Sequence, residues 1–115
     1  MDNKKDDLYY AGKIRDDLRF IVGHTKGITV GDLEENEILV DSVMFRMIQI
    51  SENSDKLTAD FKERYGSIPW RAIKGMRNRI VHNYGGVDMT VVFDTVMYDI
   101  PELLSELEGI SDSTP

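Results

Sequence analysis

The 115-residue chain contains no cysteine, which excludes disulfide bonds, thiolate zinc sites and a cysteine nucleophile. No segment approaches the roughly 20 consecutive apolar residues that cross a bilayer, and the charged first ten residues lack the apolar core of a signal peptide. We therefore expect a cytoplasmic protein with no membrane contact. Its length fits one domain over 1–115, with a flexible tail at 109–115.

Acidic residues are absent from one internal window, 66–87, although the chain as a whole has a net charge of −7. The window holds Arg71, Lys74, Arg77 and Arg79, so the rest of the chain carries −11. An acidic surface repels phosphate, which argues against broad affinity for nucleic acid. The basic window instead indicates a localised site for an anion. A basic helix face that is only solvated, or ion-paired within the chain, is the alternative.

Apolar residues recur at three- and four-residue steps along most of the chain, and no segment shows the period of two that is typical of a strand. Thr29 with Asp32 resembles a capping box, and Asn36 is a good N-cap for the next helix. Pro101 should kink the last helix near Met97. We predict an all-α, up-and-down bundle of four long helices plus short turns. The predicted helical segments are 8–22, 38–50 (apolar almost all round, hence central and buried), 57–65, 69–84 and 88–107.

The helix at 69–84 presents two opposite faces on a helical wheel. With Ile73 turned to the core, Arg71, Gly75, Asn78 and His82 gather on the other side, within about 60° of one another. A glycine there would let another backbone approach closely. This helix is therefore predicted to present Asn78 and His82 to something outside the bundle.

His82 is suited to proton transfer because imidazole titrates near neutral pH. Arg77 and Arg79 carry planar guanidinium groups that suit a phosphodiester, and such groups can cleave RNA without a metal. The competing interpretation is a surface histidine near a helix C-terminus, where positive charge is favourable. On an ideal helix Arg77 and His82 lie about 140° apart. Either the helix unwinds near His82, or Arg77 of one subunit works with His82 of another.

The spacing of Arg77, His82 and Tyr84, with Asn78 directly after the arginine, resembles the signature of the HepT-like branch of the HEPN superfamily. The resemblance extends over most of the chain, from about residue 8 to residue 107, and includes the stretch IPWRAIKGMRNRIVHNYGGVD. An arginine and a histidine at this spacing would be a weak signal alone. Embedded in this context, they form a specific motif.

The resemblance implies a homodimer of helical bundles whose motifs face one cleft and cleave RNA without a metal or cofactor. Arg77, Asn78 and His82 would be catalytic, and Arg71, Lys74 and Arg79 would contact substrate phosphates. HepT-like members are toxins encoded beside a nucleotidyltransferase antitoxin of the MNT type, in a type VII-like system. The antitoxin can silence the toxin by transferring AMP onto the motif tyrosine, here Tyr84. Anionic phosphates beside the basic groups would repel RNA.

Two other functions remain open from the sequence. The chain could be a non-catalytic partner that binds a nucleotide or a nucleotidyltransferase through the same basic face, or an RNA-binding module without turnover. Tyr84 could equally be a core residue, since it falls near the Ile73 side of the wheel. Other conspicuous side chains are predicted to fill the core: Phe61, Tyr65, Trp70, Met44, Met47, Met76 and Met97.

Overall fold

The computed structural model describes residues 6–75 and 89–112, the side chains of 111 and 112 excepted. Within those ranges the chain is helical and contains no strand, so the all-α prediction is confirmed. The elements are α1 (Asp7–Thr25), α2 (Val30–Glu35), α3 (Glu37–Asp55), α4 (Ala59–Arg64), the helical residues 70–75 (α5), α6 (Met89–Asp94), a π-helical segment (Thr95–Asp99) and α7 (Ile100–Asp112).

A side chain caps the start of each of the first four helices. Asp6, Thr29, Asn36 and Thr58 each accept a hydrogen bond from the backbone N–H three residues further on. These bonds satisfy amide groups that have no partner within the helix. The capping box predicted at Thr29 is confirmed, because the Asp32 carboxylate also accepts from the Thr29 N–H at 3.0 Å. Polar residues at these positions therefore define where the helices begin.

Helix α1 lies between α3 and α7 and contacts both. Its apolar stripe is fully buried at Ile14, Leu18 and Ile21, as the spacing predicts. Each such side chain contributes about 1.5–3 kcal/mol of burial free energy. The predicted core role of the aromatic and methionine side chains is confirmed for Phe61, Met44 and Met47, which are buried, and for Tyr65, Trp70 and Met97, which pack against the core.

The prediction that α3 is buried on all sides is wrong. One side carries Val43, Met47 and Ile50 into the core, but Ile38 is 80% exposed and Phe45 is 60% exposed. The physical reason is that α3 is an outer helix of a small bundle. Among the described elements its main contacts are with α1 and α2, and apolar residues on its other side meet solvent.

The last helical run is distorted at Thr95–Asp99, the segment that contains Met97. The Ile100 N–H donates to the Thr95 carbonyl, five residues back, which is the π-helical pattern. The irregularity thus falls where the sequence predicts one ahead of Pro101, which has no N–H to donate. After it, α7 continues to Asp112, and Ile110 is buried in the core. The single domain over 1–115 and the flexible tail at 109–115 stay predictions.

Candidate active site

Helix α5 is held against the end of α4 by Trp70. The Trp70 indole N–H lies 3.2 Å from both the Lys62 and the Tyr65 carbonyl oxygens. Lys62 lies in the last turn of α4 and Tyr65 is its C-cap, a position where backbone acceptors have no partner within the helix. The same indole packs near Phe61, with ring centroids 6.3 Å apart. Trp70 therefore fixes both the position and the direction in which α5 begins.

The two faces predicted for α5 are present in its described residues. Ile73 is fully buried, whereas Arg71 is exposed. Gly75 is half-buried, and a Cβ added to it would meet no atom of the described residues within 4 Å. Arg71, on the same side of α5, is accordingly accessible to a ligand or to another protein.

Lys74, predicted to bind phosphate, contacts α3 through both its side chain and its backbone. Its ammonium nitrogen lies 3.9 Å from the Asp55 carboxylate, and its backbone carbonyl accepts a hydrogen bond from Ser51 at 3.3 Å. The Lys74 and Asp55 side chains are 66% and 49% exposed, and exposed pairs of this kind stabilise by at most about 1 kcal/mol. Lys74 can thus leave Asp55 for an incoming phosphate at little cost. No described residue forms an ion pair with Arg71.

The other predicted site residues lie outside the described residues. These are Arg77, Asn78, Arg79, His82 and Tyr84. They follow α5 in the chain, so the packing of residues 70–75 determines where on the bundle the motif segment begins.

A partly buried ion pair joins α1 and α3, and the sequence does not reveal it. Arg46 Nη1 lies 2.8 Å from Asp17 Oδ1, and the Arg46 guanidinium lies 4.0 Å from the centre of the Phe20 ring. Asp17 is almost fully buried, and its other carboxylate oxygen has no hydrogen-bond partner among the described residues. Burial raises the pKa of the Asp17 carboxyl above its usual value, and Arg46 opposes this only in part.

His24, the only histidine besides His82, has a local structural role. Its Nδ1 lies 2.8 Å from the Phe20 carbonyl oxygen, and its ring stacks on the Phe20 ring at 4.0 Å. It sits in the last turn of α1, where a cationic side chain complements the helix dipole. Within the described part of the chain no acidic or basic side chain contacts His24, which makes it a matched control for His82.

Within 6–75 and 89–112, no group of three or more histidine or acidic side chains is arranged to hold a metal ion. None of the described helices combines the length and the apolar character that crossing a bilayer requires. The absence of metal ligands at the predicted catalytic residues themselves stays a prediction.

Comparison with known proteins identifies the family. Residues 14–110 match the family model described as "Ribonuclease HepT-like". The chain is 32% identical over 101 residues to a protein of Thermococcus cleftensis named as a probable ribonuclease HepT, covering 88% of this chain and 92% of that one. It is 31% identical over 107 residues to a candidate RNase of Methanocaldococcus jannaschii, covering 93% and 88%.

A third relative is a candidate RNase of Caldanaerobacter subterraneus, 29% identical over 101 residues, with 88% of this chain and 90% of that one covered. No solved structure matches the chain. The family match spans the helices described above and the motif segment between them, since it runs from within α1 to within α7. The chain belongs to the HepT-like ribonuclease family, as its motif and its helical pattern predict.

Proposed function

We propose that this protein is a metal-independent endoribonuclease that acts as the toxin of a toxin–antitoxin pair in the cytoplasm. The observation that carries the proposal is the family match over 14–110, because it encloses the motif of Arg77, Asn78, His82 and Tyr84. The exposed Arg71 side chain, on α5 shortly before that motif, supports it. An RNA strand or a second subunit would approach on this side of α5.

The proposed reaction needs only side chains of this chain. His82 takes the proton of a ribose 2′-hydroxyl, the 2′-oxygen attacks the adjacent phosphorus, and the bond from phosphorus to the 5′-oxygen breaks. The leaving 5′-oxygen receives a proton from a protonated imidazole, which in a symmetric dimer can be the second His82. Arg77 stabilises the charge that develops on phosphorus, and Asn78 orients the substrate or the imidazole. Arg71, Lys74 and Arg79 bind neighbouring phosphates.

We further propose that two copies form the cleft and that a nucleotidyltransferase of the MNT type silences it. Pairing Arg77 of one subunit with His82 of the other would resolve their separation of about 140° on one helix. Transfer of AMP onto Tyr84 would place anionic phosphate among these cationic groups, where it would compete with the RNA backbone. Lys74, held only by an exposed ion pair, is available to contact either phosphate.

The decisive experiment incubates the purified protein with tRNA and mRNA in EDTA, beside the variants His82→Ala and His24→Ala. We expect cleavage by the wild type and by His24→Ala, and a loss of about 100-fold or more in His82→Ala, the range that general acid–base catalysis contributes. Equal cleavage by both variants would refute the assignment. RNA that is bound but never cut, with no growth arrest on expression, would favour the non-catalytic function instead.

A further inference from the structure

The exposed side of α3 is the most unusual surface among the described residues. Ile38 and Phe45 are seven residues apart, so they lie on the same side of the helix, and both are largely exposed. Half-buried Ile48 lies one turn beyond Phe45 on that side. Together with Glu37 and Asp41, these residues form what we call the α3 outer face. It is about 15 Å long, at a rise of about 1.5 Å per residue.

The α3 outer face is not required by the packing of the bundle. The opposite side of the helix already supplies the core with Val43, Met47 and Ile50, which are nearly or fully inaccessible. Polar side chains at 38 and 45 would keep the same core and would avoid exposing these two apolar side chains. Exposed apolar side chains on one side of a helix, flanked by charged residues, are typical of a docking site.

The charges around this face favour one kind of occupant. Glu37 and Asp41 are exposed on α3, and Glu34 and Glu35 are exposed at the end of the adjoining α2. The one basic residue of α3, Arg46, is turned to Asp17 and does not offset them. A second copy that docked the same face on itself would bring these carboxylates together, which opposes association. A partner with a basic rim would be attracted.

We propose that the α3 outer face docks an amphipathic helical segment of a partner protein that carries apolar residues at helical spacing and lysine or arginine beside them. Phe45 and Ile38 pack into the apolar stripe of the partner, while Asp41 and Glu37 pair with its cations. Recognition of an amphipathic helix by apolar anchors is a common mode of binding. This surface goes beyond the proposed RNA cleavage, since none of its residues belongs to the motif at 77–84.

The test uses the full chain and two fluorescent peptides of equal length. Both peptides carry leucine at i, i+3, i+4 and i+7; the other positions are lysine in one peptide and glutamate in the other. Binding is measured by fluorescence anisotropy. We expect the lysine peptide to bind and the glutamate peptide not to bind. Phe45→Ala should weaken binding about tenfold or more, because an aromatic anchor dominates such contacts. The matched control is Tyr98→Ala, which removes an aromatic side chain that is 68% exposed elsewhere.

The charge component is tested with Asp41→Asn against Asp60→Asn, an exposed aspartate in the first turn of α4. We expect Asp41→Asn to weaken binding of the lysine peptide about two- to fivefold, and Asp60→Asn to leave it unchanged. The difference between the two variants should be smaller at high salt. All variants should keep the circular dichroism and the RNA cleavage of the wild type. This separates failure of this proposal from failure of the proposed function.

Several results would overturn the docking proposal. One is the absence of binding by the lysine peptide, and another is equal binding by wild type and Phe45→Ala. A third is a change from dimer to monomer in sedimentation when Phe45→Asp is introduced, because the face would then be covered by a second copy of this chain.

Discussion

Replacing Arg46 by methionine should destabilise the protein because it leaves the Asp17 carboxylate buried without its counter-charge. Arg46 Nη1 lies 2.8 Å from Asp17 Oδ1, and the two side chains are 33% and 5% exposed. Breaking a fully buried pair costs about 3–5 kcal/mol, and since Arg46 is partly solvated we expect about 2–4 kcal/mol at neutral pH. That corresponds to a fall of roughly 10 °C or more in Tm.

The effect of Arg46→Met on the free energy of unfolding should depend on pH, and the pKa of Asp17 gives the direction. Burial raises the pKa of Asp17 in the folded state, so the folded protein binds this proton more tightly than the unfolded chain. The contribution of Asp17 to stability is therefore complete below its unfolded pKa of about 3.9 and is lost as pH rises through the higher folded value. Without Arg46 the carboxyl protonates more readily still. The penalty of Arg46→Met should accordingly shrink as pH is lowered from 7 towards 4.

The assay is urea unfolding followed by circular dichroism at 222 nm, at fixed protein concentration, at pH 7 and pH 4.5. Asp17→Asn and the double variant complete a mutant cycle that isolates the interaction. We expect the double variant to be more stable at pH 7 than Arg46→Met alone, and wild type to lose stability relative to Asp17→Asn as pH rises. A penalty for Arg46→Met that is the same at both pH values would show that the charge on Asp17 does not cause it.

Three further predictions concern the anchoring of α5, two glycines of α1 and the loop after it, and the proposed dimer. Trp70→Phe keeps the apolar ring but removes the N–H that reaches the Lys62 and Tyr65 carbonyls, so it should cost about 1–2 kcal/mol in urea unfolding; an unchanged midpoint would contradict the anchoring of α5. Gly27→Ala should lower the free energy of unfolding by about 1 kcal/mol, because Gly27 has φ +74°. Gly23→Ala, inside α1 with open space around it, should raise the free energy of unfolding by about 0.5–1 kcal/mol. Equal effects of the two substitutions would contradict this prediction. Mixing inactive Arg77→Ala and His82→Ala subunits should restore RNA cleavage if the two residues act across a dimer, and continued inactivity in verified mixed dimers would place them in one subunit.

The sequence predicts those features of the fold that depend on local patterns. Thr29, Asp32 and Asn36 act as caps because their side chains reach only the next few amides, and that reach is fixed by spacing. The buried positions Ile14 and Ile73 follow from helical periodicity, since each lies at the centre of an apolar stripe.

Features that depend on tertiary packing are not visible in the sequence. Asp17 lies within the apolar stripe of α1 and is buried only because Arg46 of α3 reaches it across the helix interface. Ile38 and Phe45 look like core residues, and only the outer position of α3 exposes them. The ion pair of Lys74 with Asp55 likewise joins two helices. For the candidate site, the residue types and the motif can be predicted from the sequence. The exposure of Arg71 on α5 depends on how the helices pack.

We propose that this protein cuts RNA through the 2′-hydroxyl with an imidazole and no metal. The most direct measurement compares an RNA oligonucleotide with the same oligonucleotide carrying a 2′-deoxy sugar at the cleaved position, both in EDTA. We predict that only the all-ribose strand is cut, leaving a 2′,3′-cyclic phosphate. Cleavage of the deoxy-substituted strand at the same bond, or activity that returns only with added Mg²⁺, would contradict this mechanism.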